Sequence, residues 1–176
     1  MRFFLVKLNH ELEDFNLNNL TSQRIDLVAR CINAALWLDK NIRRDVKIIF
    51  HFKNNKVIEV DGKIKGMRPD ERSIAGFIKH LLEGKKYPGI KLYESSFEEL
   101  VENQEHKKVF LLDLKGKPIE EEKELKDSLF ILGDDKGINL NFGAEKLSLG
   151  PKSYLTSHCI VVINNYLDKL EVGKNA

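Results

Sequence analysis

The sequence predicts an α/β protein with a mostly parallel sheet flanked by helices. Strand-like apolar runs alternate with amphipathic helical runs along the 176 residues, which is the pattern of sheets built from strand–helix units. Two such runs, 129–132 and 146–149, also end abruptly in glycine and small polar residues. Strands that end in glycine-bearing turns expose backbone N–H and C=O groups to a small ligand. We therefore interpret the C-terminal half as a cofactor-binding sheet.

The first elements follow from periodicity and turn residues. Residues 2–8 alternate loosely and predict a strand. Residues 22–39 carry apolar side chains at helical spacing and predict an amphipathic helix. The apolar, β-branched segment 45–52 and the shorter segment 57–60 flank a pair of asparagines, Asn54 and Asn55. That arrangement predicts a β-hairpin.

The later elements repeat the alternation of helix and strand. A second helix is predicted over 69–84, because proline and aspartate open it and a glycine follows it. Segments 108–114 and 129–132 predict buried strands, and the acidic stretch 118–127 between them predicts a loop or short helix. A last helix is predicted over 153–170, with an apolar stripe wide enough for a core contact and an oligomer interface.

Length and composition favour one folded domain over 1–176. Hydrophobic residues make up 42% and charged residues 32% of the chain, an ordinary globular balance. We expect no transmembrane helix, since no apolar run approaches 18 residues, and no signal peptide, since the first apolar run is too short. Cys31 and Cys159 predict neither a disulfide framework nor a metal site, and the histidines lack ligand spacing. We expect reduced thiols and a cytoplasmic protein.

The charge distribution leaves two interpretations open. The net charge of +2 is smaller than that of most dedicated nucleic-acid-binding proteins. Basic residues nevertheless gather in the N-terminal half. They are Arg24, Arg30, Lys40, Arg43, Arg44, Arg68 and Arg72. The fold could collect them on one RNA-binding face, or they could be scattered solvated charges.

The motifs exclude the commonest nucleotide sites and resemble one family. No Gly-x-Gly-x-x-Gly follows a strand, and no P-loop is present. Three C-terminal strings, in 130–138, 147–151 and 157–169, resemble the archaeal tRNA (pseudouridine-54-N1)-methyltransferases of the knotted SPOUT superfamily. Segments of the N-terminal half, 24–31 and 66–75 among them, are similar to the family as well. The chain departs from it at 18–23, which lacks a Pro-Gly turn, and at 83–105, which is short.

The resemblance implies a SPOUT-like fold with a C-terminal trefoil knot and a cofactor-binding region over about 108–172. It implies S-adenosylmethionine as cofactor, homodimerisation, no metal, and methylation of N1 of pseudouridine in the tRNA T-loop. The cofactor positions that it implies are Leu114, Leu132, Gly133, Asp134, Leu147, Ser148, Leu149 and Cys159. The alternatives are a non-catalytic RNA-binding module of the same fold, or a SPOUT methyltransferase acting on another RNA.

Two residues are candidates for catalysis. Asp70 could accept the proton that pseudouridine N1 loses, or could simply cap a helix. The resemblance places Cys159 in the methyl-transfer pocket, although a free cysteine is commonly a small buried apolar residue. A covalent role is disfavoured, because the adjacent His158 points from a different face of the helix.

Five arginines are candidates for RNA binding. They are Arg24, Arg43, Arg44, Arg68 and Arg72. Guanidinium groups hold phosphates and bases. The alternatives are surface charge or, for Arg44, an internal ion pair with Asp45 or Asp26.

Overall fold

The seven strands of the described part of the chain form one sheet, in the order β4-β3-β2-β1-β6-β5-β7. The computed structural model describes residues 1–134, 138 and 143–174. The strands are β1 (Arg2–Lys7), β2 (Val46–His51), β3 (Lys56–Asp61), β4 (Ile90–Glu94), β5 (Val109–Pro118), β6 (Leu129–Gly133) and β7 (Glu145–Ser148). The helices are α1 (Ile25–Leu36), α2 (Glu71–Leu82), α3 (Phe97–Glu102) and α4 (Thr156–Lys174), with a 3-10 turn at Ile119–Glu121.

The sheet is mostly parallel, as predicted. β1 pairs in parallel with β2 and β6, and β5 pairs in parallel with β6 and β7. Only the hairpin partner β3 and the edge strand β4 run antiparallel to their neighbours. The carboxyl ends of β1, β6, β5 and β7 therefore meet at one edge of the sheet, where ligands bind in open α/β sheets.

Strand β1 is buried on both faces, as expected for a central parallel strand. Phe4 and Val6 belong to the larger core, against α1, α2 and α4, whereas Phe3 and Leu5 belong to a smaller core against α3. Alternate side chains of a strand point to opposite faces, so this one apolar run supports both layers.

A buried polar cluster fixes α4 against the start of the sheet. The Arg2 guanidinium, whose side chain is 5% exposed, donates to Asn164 Oδ1 at 3.0 Å and to Asp168 at 2.8 Å. Both terminal nitrogens of Arg43 also donate to the Asp168 carboxylate, at 2.7 and 2.8 Å. Asn164 Nδ2 in turn donates to the Ala34 carbonyl of α1. Helix α4 is thus held by charge-assisted hydrogen bonds as well as by its apolar face.

The predicted elements are found with shifted boundaries. Helix α1 is shorter than 22–39, because Arg24 adopts a left-handed backbone (φ 52°) before it and Trp37 turns extended after it. Helix α4 begins at Thr156 rather than 153, since 153–155 line a cleft instead. The acidic stretch contains the predicted short helix.

Two elements escaped the sequence analysis. β4 is a short edge strand, and α3 is a six-residue helix. A usable signal was present for α3: the Ser96 hydroxyl caps it by accepting from the Glu99 N–H at 3.2 Å, which is half of a capping box.

No helix in the described part of the chain is both long and apolar enough to cross a membrane.

Candidate functional site: a cleft at the strand ends

A cleft of about 710 Å³ opens where β6 and β7 end and α4 begins, beside the irregular middle of β5. Its floor and walls come from the strand ends, the segment before α4, and the first turns of α1. The lining residues are Arg24, Leu27, Arg30, Leu111, Leu112, Asp113, Leu114, Leu132, Gly133, Asp134, Ile138, Leu147, Leu149, Lys152, Ser153, Tyr154, Leu155, Thr156, Ser157 and Cys159. The volume is that of a small-molecule site.

Seven of the eight residues predicted to bind a cofactor line this cleft. They are Leu114, Leu132, Gly133, Asp134, Leu147, Leu149 and Cys159. Ser148 does not line it: its buried hydroxyl donates to the Gly150 carbonyl at 3.1 Å and accepts from the Gly150 N–H at 3.3 Å. Ser148 therefore shapes the turn that carries Leu149. Residues 135–137 of the resembling string lie outside the described residues.

The end of β6 is tied to the two segments that flank it. The Thr156 hydroxyl donates to the Gly133 carbonyl at 2.7 Å, which joins the start of α4 to the strand end. The Asp134 carboxylate accepts from the Asn9 N–H at 2.9 Å and from Asn9 Nδ2 at 2.7 Å. The loops after β1 and β6 are therefore held together at the cleft.

The cleft combines an apolar floor with charges of both signs. Leucines line the cleft from β5, β6 and β7 and from the segments next to them. The pKa of Asp113 is lowered chiefly by the hydrogen bond from the Lys115 N–H. Burial opposes this less strongly, and the Lys146 ammonium lowers the pKa further, so this carboxyl stays ionised. Such a surface suits a ligand with an aromatic ring and separately charged groups.

The two cysteines differ in exposure and chemistry. Cys159 is half-buried in the cleft wall, and its Sγ lies 3.7 Å from the Tyr154 carbonyl. Burial raises the pKa of its thiol, which disfavours the nucleophilic thiolate. Cys31 is buried in α1, where desolvation raises its pKa to about 12. The geometry thus favours a lining role for Cys159.

A charged triad stands where α1 meets the cleft. Asp26, nearly buried, pairs with Arg24 (Nε to Oδ1, 3.6 Å) and with Arg30 (N to Oδ2, 3.2 Å). Both guanidinium groups line the cleft and are about 40% exposed. Asp26 therefore orients two arginines at the rim.

The other predicted RNA-binding arginines lie elsewhere. Arg43 is 11% exposed and engaged with Asp168. Arg44 donates to the Gly62 carbonyl. The alternative ion pair for Arg44 is wrong in the described structure, because Asp45 pairs with Arg2 and Asp26 with the rim arginines.

Two exposed arginines lie at the start of α2, Arg68 before the helix and Arg72 in its first turn. Arg72 donates to Asn18 Oδ1 at 3.3 Å, and the Arg68 N–H donates to the Ser73 hydroxyl at 3.0 Å. Neither lines the cleft. Their predicted contact with RNA stays a prediction.

Asp70 is the N-cap of α2. Its carboxylate accepts from the Ser73 N–H at 2.9 Å, which is the capping geometry. It is exposed and does not line the cleft. Asp70 therefore caps α2 in the structure, and its role in proton transfer stays a prediction.

Several residues were not assigned to the cleft from the sequence. Arg30 was named only as one of the basic residues of the N-terminal half, although its spacing of four residues from Asp26 on one helix favours the ion pair found beside the cleft. Thr156, Tyr154 and Lys152 had no comparable signal, because their position depends on where α4 packs. Within the described ranges, no group of three or more histidine, cysteine or acidic side chains could hold a metal ion.

Comparisons with known proteins agree on one family. Residues 1–172 match the model of a family described as "Putative SAM-dependent RNA methyltransferase". The chain is 36% identical over 200 residues to a tRNA (pseudouridine(54)-N(1))-methyltransferase of Methanococcus maripaludis, covering 97% of this chain and 100% of the relative. It is 34% identical to the protein of the same name from Thermococcus gammatolerans, with coverage of 97% and 98%.

A solved structure shows the same fold. Archaeoglobus fulgidus Nep1, bound to S-adenosylhomocysteine, aligns over 100% of both chains with a TM-score of 0.63 and 16% identity. At that identity the similarity concerns the fold, which agrees with the α/β architecture predicted from the sequence.

Proposed function

Because the chain belongs to the family of SAM-dependent RNA methyltransferases, we propose that it methylates N1 of pseudouridine 54 in the T-loop of tRNA. The relatives that carry this name cover almost the whole chain. The observation that carries the proposal is the convergence of seven predicted cofactor residues on one cleft. These residues come from three separate strands and a helix, so their convergence is a property of the fold.

The cleft fits S-adenosylmethionine. Leucines around the strand ends form an apolar slot for adenine, and backbone groups near Gly133 and Leu149 supply hydrogen-bond partners. The carboxylates of Asp113 and Asp134 complement the cationic sulfonium and ammonium groups, while Lys152 complements the cofactor carboxylate. Leu114, 52% exposed here, would be covered by the bound cofactor.

The chemistry needs positioning more than activation. S-adenosylmethionine supplies a methyl group already activated by a positively charged sulfur. Held by the residues that line the cleft, it would supply this methyl group to pseudouridine N1 and leave as the neutral thioether, and the N1 proton would pass to an acceptor. The protein aligns N1 with the methyl group and excludes water. The half-buried Cys159 contributes to that wall as a neutral thiol.

The rim arginines are the best-placed RNA contacts. Arg24 and Arg30 face the cleft and are held by the Asp26 carboxylate. Pre-orientation by an acidic partner reduces the entropy lost when a guanidinium meets a phosphate or a base edge. Further RNA contacts outside the cleft would come from the other exposed arginines of the N-terminal half, which are Arg44, Arg68 and Arg72.

The C-terminal region, about 108–172, would form the trefoil knot and the dimer contact. Support comes from the sheet, which places β7 beyond β5 and β6, and from α4, which packs back on α1. Large apolar side chains of α4 and the segment before it are also left exposed, as an interface with a second copy would require. They are Leu155 (63%), Val161 (52%), Leu170 (39%) and Val172 (70%). Action on tRNA would place the dimer in the cytoplasm.

Transfer of a labelled methyl group tests the proposal. Two T-arm stem-loops differ only in pseudouridine or uridine at the target position, and each is incubated with protein and labelled S-adenosylmethionine. We expect label only in the pseudouridine RNA, with N1-methylpseudouridine identified in the nucleoside digest.

Other outcomes separate the alternatives. If the protein binds the cofactor and methylates another RNA but not this one, the reaction class holds and the proposed RNA substrate is wrong. RNA binding without cofactor binding would indicate a non-catalytic module of the same fold.

A further inference from the structure

A second, smaller cleft of about 300 Å³ lies beside the cofactor cleft. Its walls come from the loop after β1, the residues before α1, and the turn after β2. The polar residues that matter here are Asn9, His10, Ser22, Gln23, Arg24 and Lys53. No sequence motif pointed to it, because the three segments are distant along the chain.

The two clefts are physically joined. Arg24 lines both of them. Its left-handed backbone (φ 52°) is uncommon for a residue other than glycine, asparagine or aspartate. Asn9 of the small cleft is bonded twice to Asp134 of the cofactor cleft. A ligand in the small cleft would therefore lie next to the methyl-transfer site.

The walls of the small cleft are preformed. The Lys53 N–H donates to the His10 carbonyl at 2.9 Å, which ties the two loops together. The Asn54 side chain bonds both backbone groups of Leu12, at 3.2 and 3.0 Å. The His10 ring packs edge-on against Phe52 at 5.6 Å. Such a cleft binds a ligand with little loss of loop entropy.

The chemistry of the walls favours a nucleotide. Lys53 and Arg24 are cations suited to a phosphate, and among the described residues the Lys53 ammonium makes no ion pair. The Gln23 amide and Ser22 hydroxyl can pair with the edge of a base. Glu11 and Glu13 at the rim can accept from base N–H groups but would repel a bare anion. A ligand with both a phosphate and a base edge satisfies all of them.

We propose that this cleft binds a nucleotide of the RNA strand adjacent to the methylated one, with its phosphate on Lys53. The inference rests on the proposed function, because it takes the larger cleft as the site of methyl transfer. Recognition beside the target would also fix which residue of an unpaired loop enters the cofactor cleft, since unpaired RNA is read through exposed bases and phosphates.

Replacement of one lysine tests the subsite. Lys53→Met removes the charge and keeps an unbranched side chain. Lys123→Met is the matched control, because Lys123 is exposed and lies outside both clefts. Binding of a fluorescent T-arm stem-loop is measured by anisotropy across a series of salt concentrations, with S-adenosylhomocysteine affinity and melting temperature as checks on the fold.

The expected result is a loss of about 5-fold in RNA affinity for Lys53→Met at low salt, and none for Lys123→Met. One lost phosphate contact also reduces the slope of log affinity against log salt by about one. Unchanged affinity, or weaker affinity with an unchanged salt slope, would overturn the subsite.

Methyl transfer by the unchanged protein separates this inference from the proposed function. If the unchanged protein transfers the methyl group and Lys53→Met keeps its RNA affinity, the subsite is refuted and the proposed function is not. Absence of transfer together with a Lys53-specific loss of RNA binding shows that the small cleft binds RNA, but it refutes the proposed function and with it the position of this nucleotide beside a methylated one. Absence of RNA binding by the unchanged protein refutes both.

Discussion

The large cleft, proposed above to hold the cofactor, and the arginines of the N-terminal half differ in how directly their arrangement follows from the sequence. Seven of eight predicted cofactor residues meet at one edge of the sheet. The five predicted RNA-binding arginines instead separate into different environments: Arg24 lines both clefts, Arg43 is buried against Asp168, and the others lie outside the cofactor cleft.

The difference has a physical cause. Residues at the carboxyl ends of parallel strands are brought together by backbone hydrogen bonding, which the apolar pattern predicts. A long charged side chain has no such constraint, since its partner can be any opposite charge that the tertiary fold brings within reach. Position on a strand end is therefore a stronger indicator of a site than positive charge on a helix or loop.

The largest expected effect is on ligand affinity at the large cleft, where the backbone of β6 ends at Gly133. Gly133→Val adds a branched side chain at the end of β6, where the Gly133 carbonyl is bonded to Thr156. We expect S-adenosylhomocysteine affinity, measured by titration calorimetry, to fall at least about 100-fold, or about 2.7 kcal/mol. Gly76→Ala is the control, because an added Cβ there meets no atom within 4 Å. Wild-type affinity in a folded Gly133→Val protein would remove Gly133 from the site.

The next effect tests whether the ion pair between Arg43 and Asp168 stabilises the fold. Asp168→Asn leaves the buried Arg2 and Arg43 without this carboxylate, and we expect the free energy of unfolding in urea to fall by about 2 kcal/mol. The exposed Asp39→Asn should change it by less than about 0.5 kcal/mol. Equal stability of the two variants would contradict a structural role.

The same cluster predicts a pH dependence. Burial tends to raise the pKa of Asp168, but hydrogen bonds from Arg43 and Arg2 outweigh it and lower the pKa. The contribution of Asp168 is therefore complete above its unfolded-state pKa of about 3.9 and is lost as pH falls through the lower folded-state pKa. In urea titrations from pH 6 to pH 2, the free energy of unfolding should fall more steeply with decreasing pH in the wild type than in Asp168→Asn.

A smaller effect tests the rim arginine. Arg24→Asn removes the guanidinium and keeps a residue that tolerates the left-handed backbone. We expect KM for the RNA to rise about 10-fold, or about 1.4 kcal/mol, and cofactor affinity to fall less than 3-fold, roughly 0.6 kcal/mol. An equal loss of both affinities would place Arg24 mainly on the cofactor.

The smallest effect separates the two roles of Asp70. Asn is as good a helix cap as Asp, so Asp70→Asn should keep both stability and the methyl-transfer rate at saturating substrates. Asp70→Ala should lower the free energy of unfolding by about 1 kcal/mol. A rate that drops in Asp70→Asn with stability unchanged would instead identify Asp70 as the proton acceptor.

Much of the fold was predictable because its signals are local. The hairpin at Asn54 and Asn55, the cap at Asp70 and the apolar runs of the central strands each depend on a few neighbouring residues. Boundaries were less predictable: α1 and α4 begin later than periodicity indicates, since Arg24 turns left-handed and 153–155 serve the cleft wall. The edge strand β4 is short and partly exposed, so its apolar signal was weak.

The sequence by itself determined the α/β class, because strand periodicity and glycine turns act within short stretches of chain. Its motifs also carried the family resemblance, and that resemblance named seven residues that line the large cleft. The spacing of Asp26 and Arg30 already favours their ion pair, but only the tertiary structure places that pair at the rim of the large cleft. The tertiary structure also decided that Asp168 pairs with Arg43 and that a second polar cleft adjoins the first. These features join residues up to 125 positions apart. No local pattern specifies such contacts, since they depend on how the elements pack.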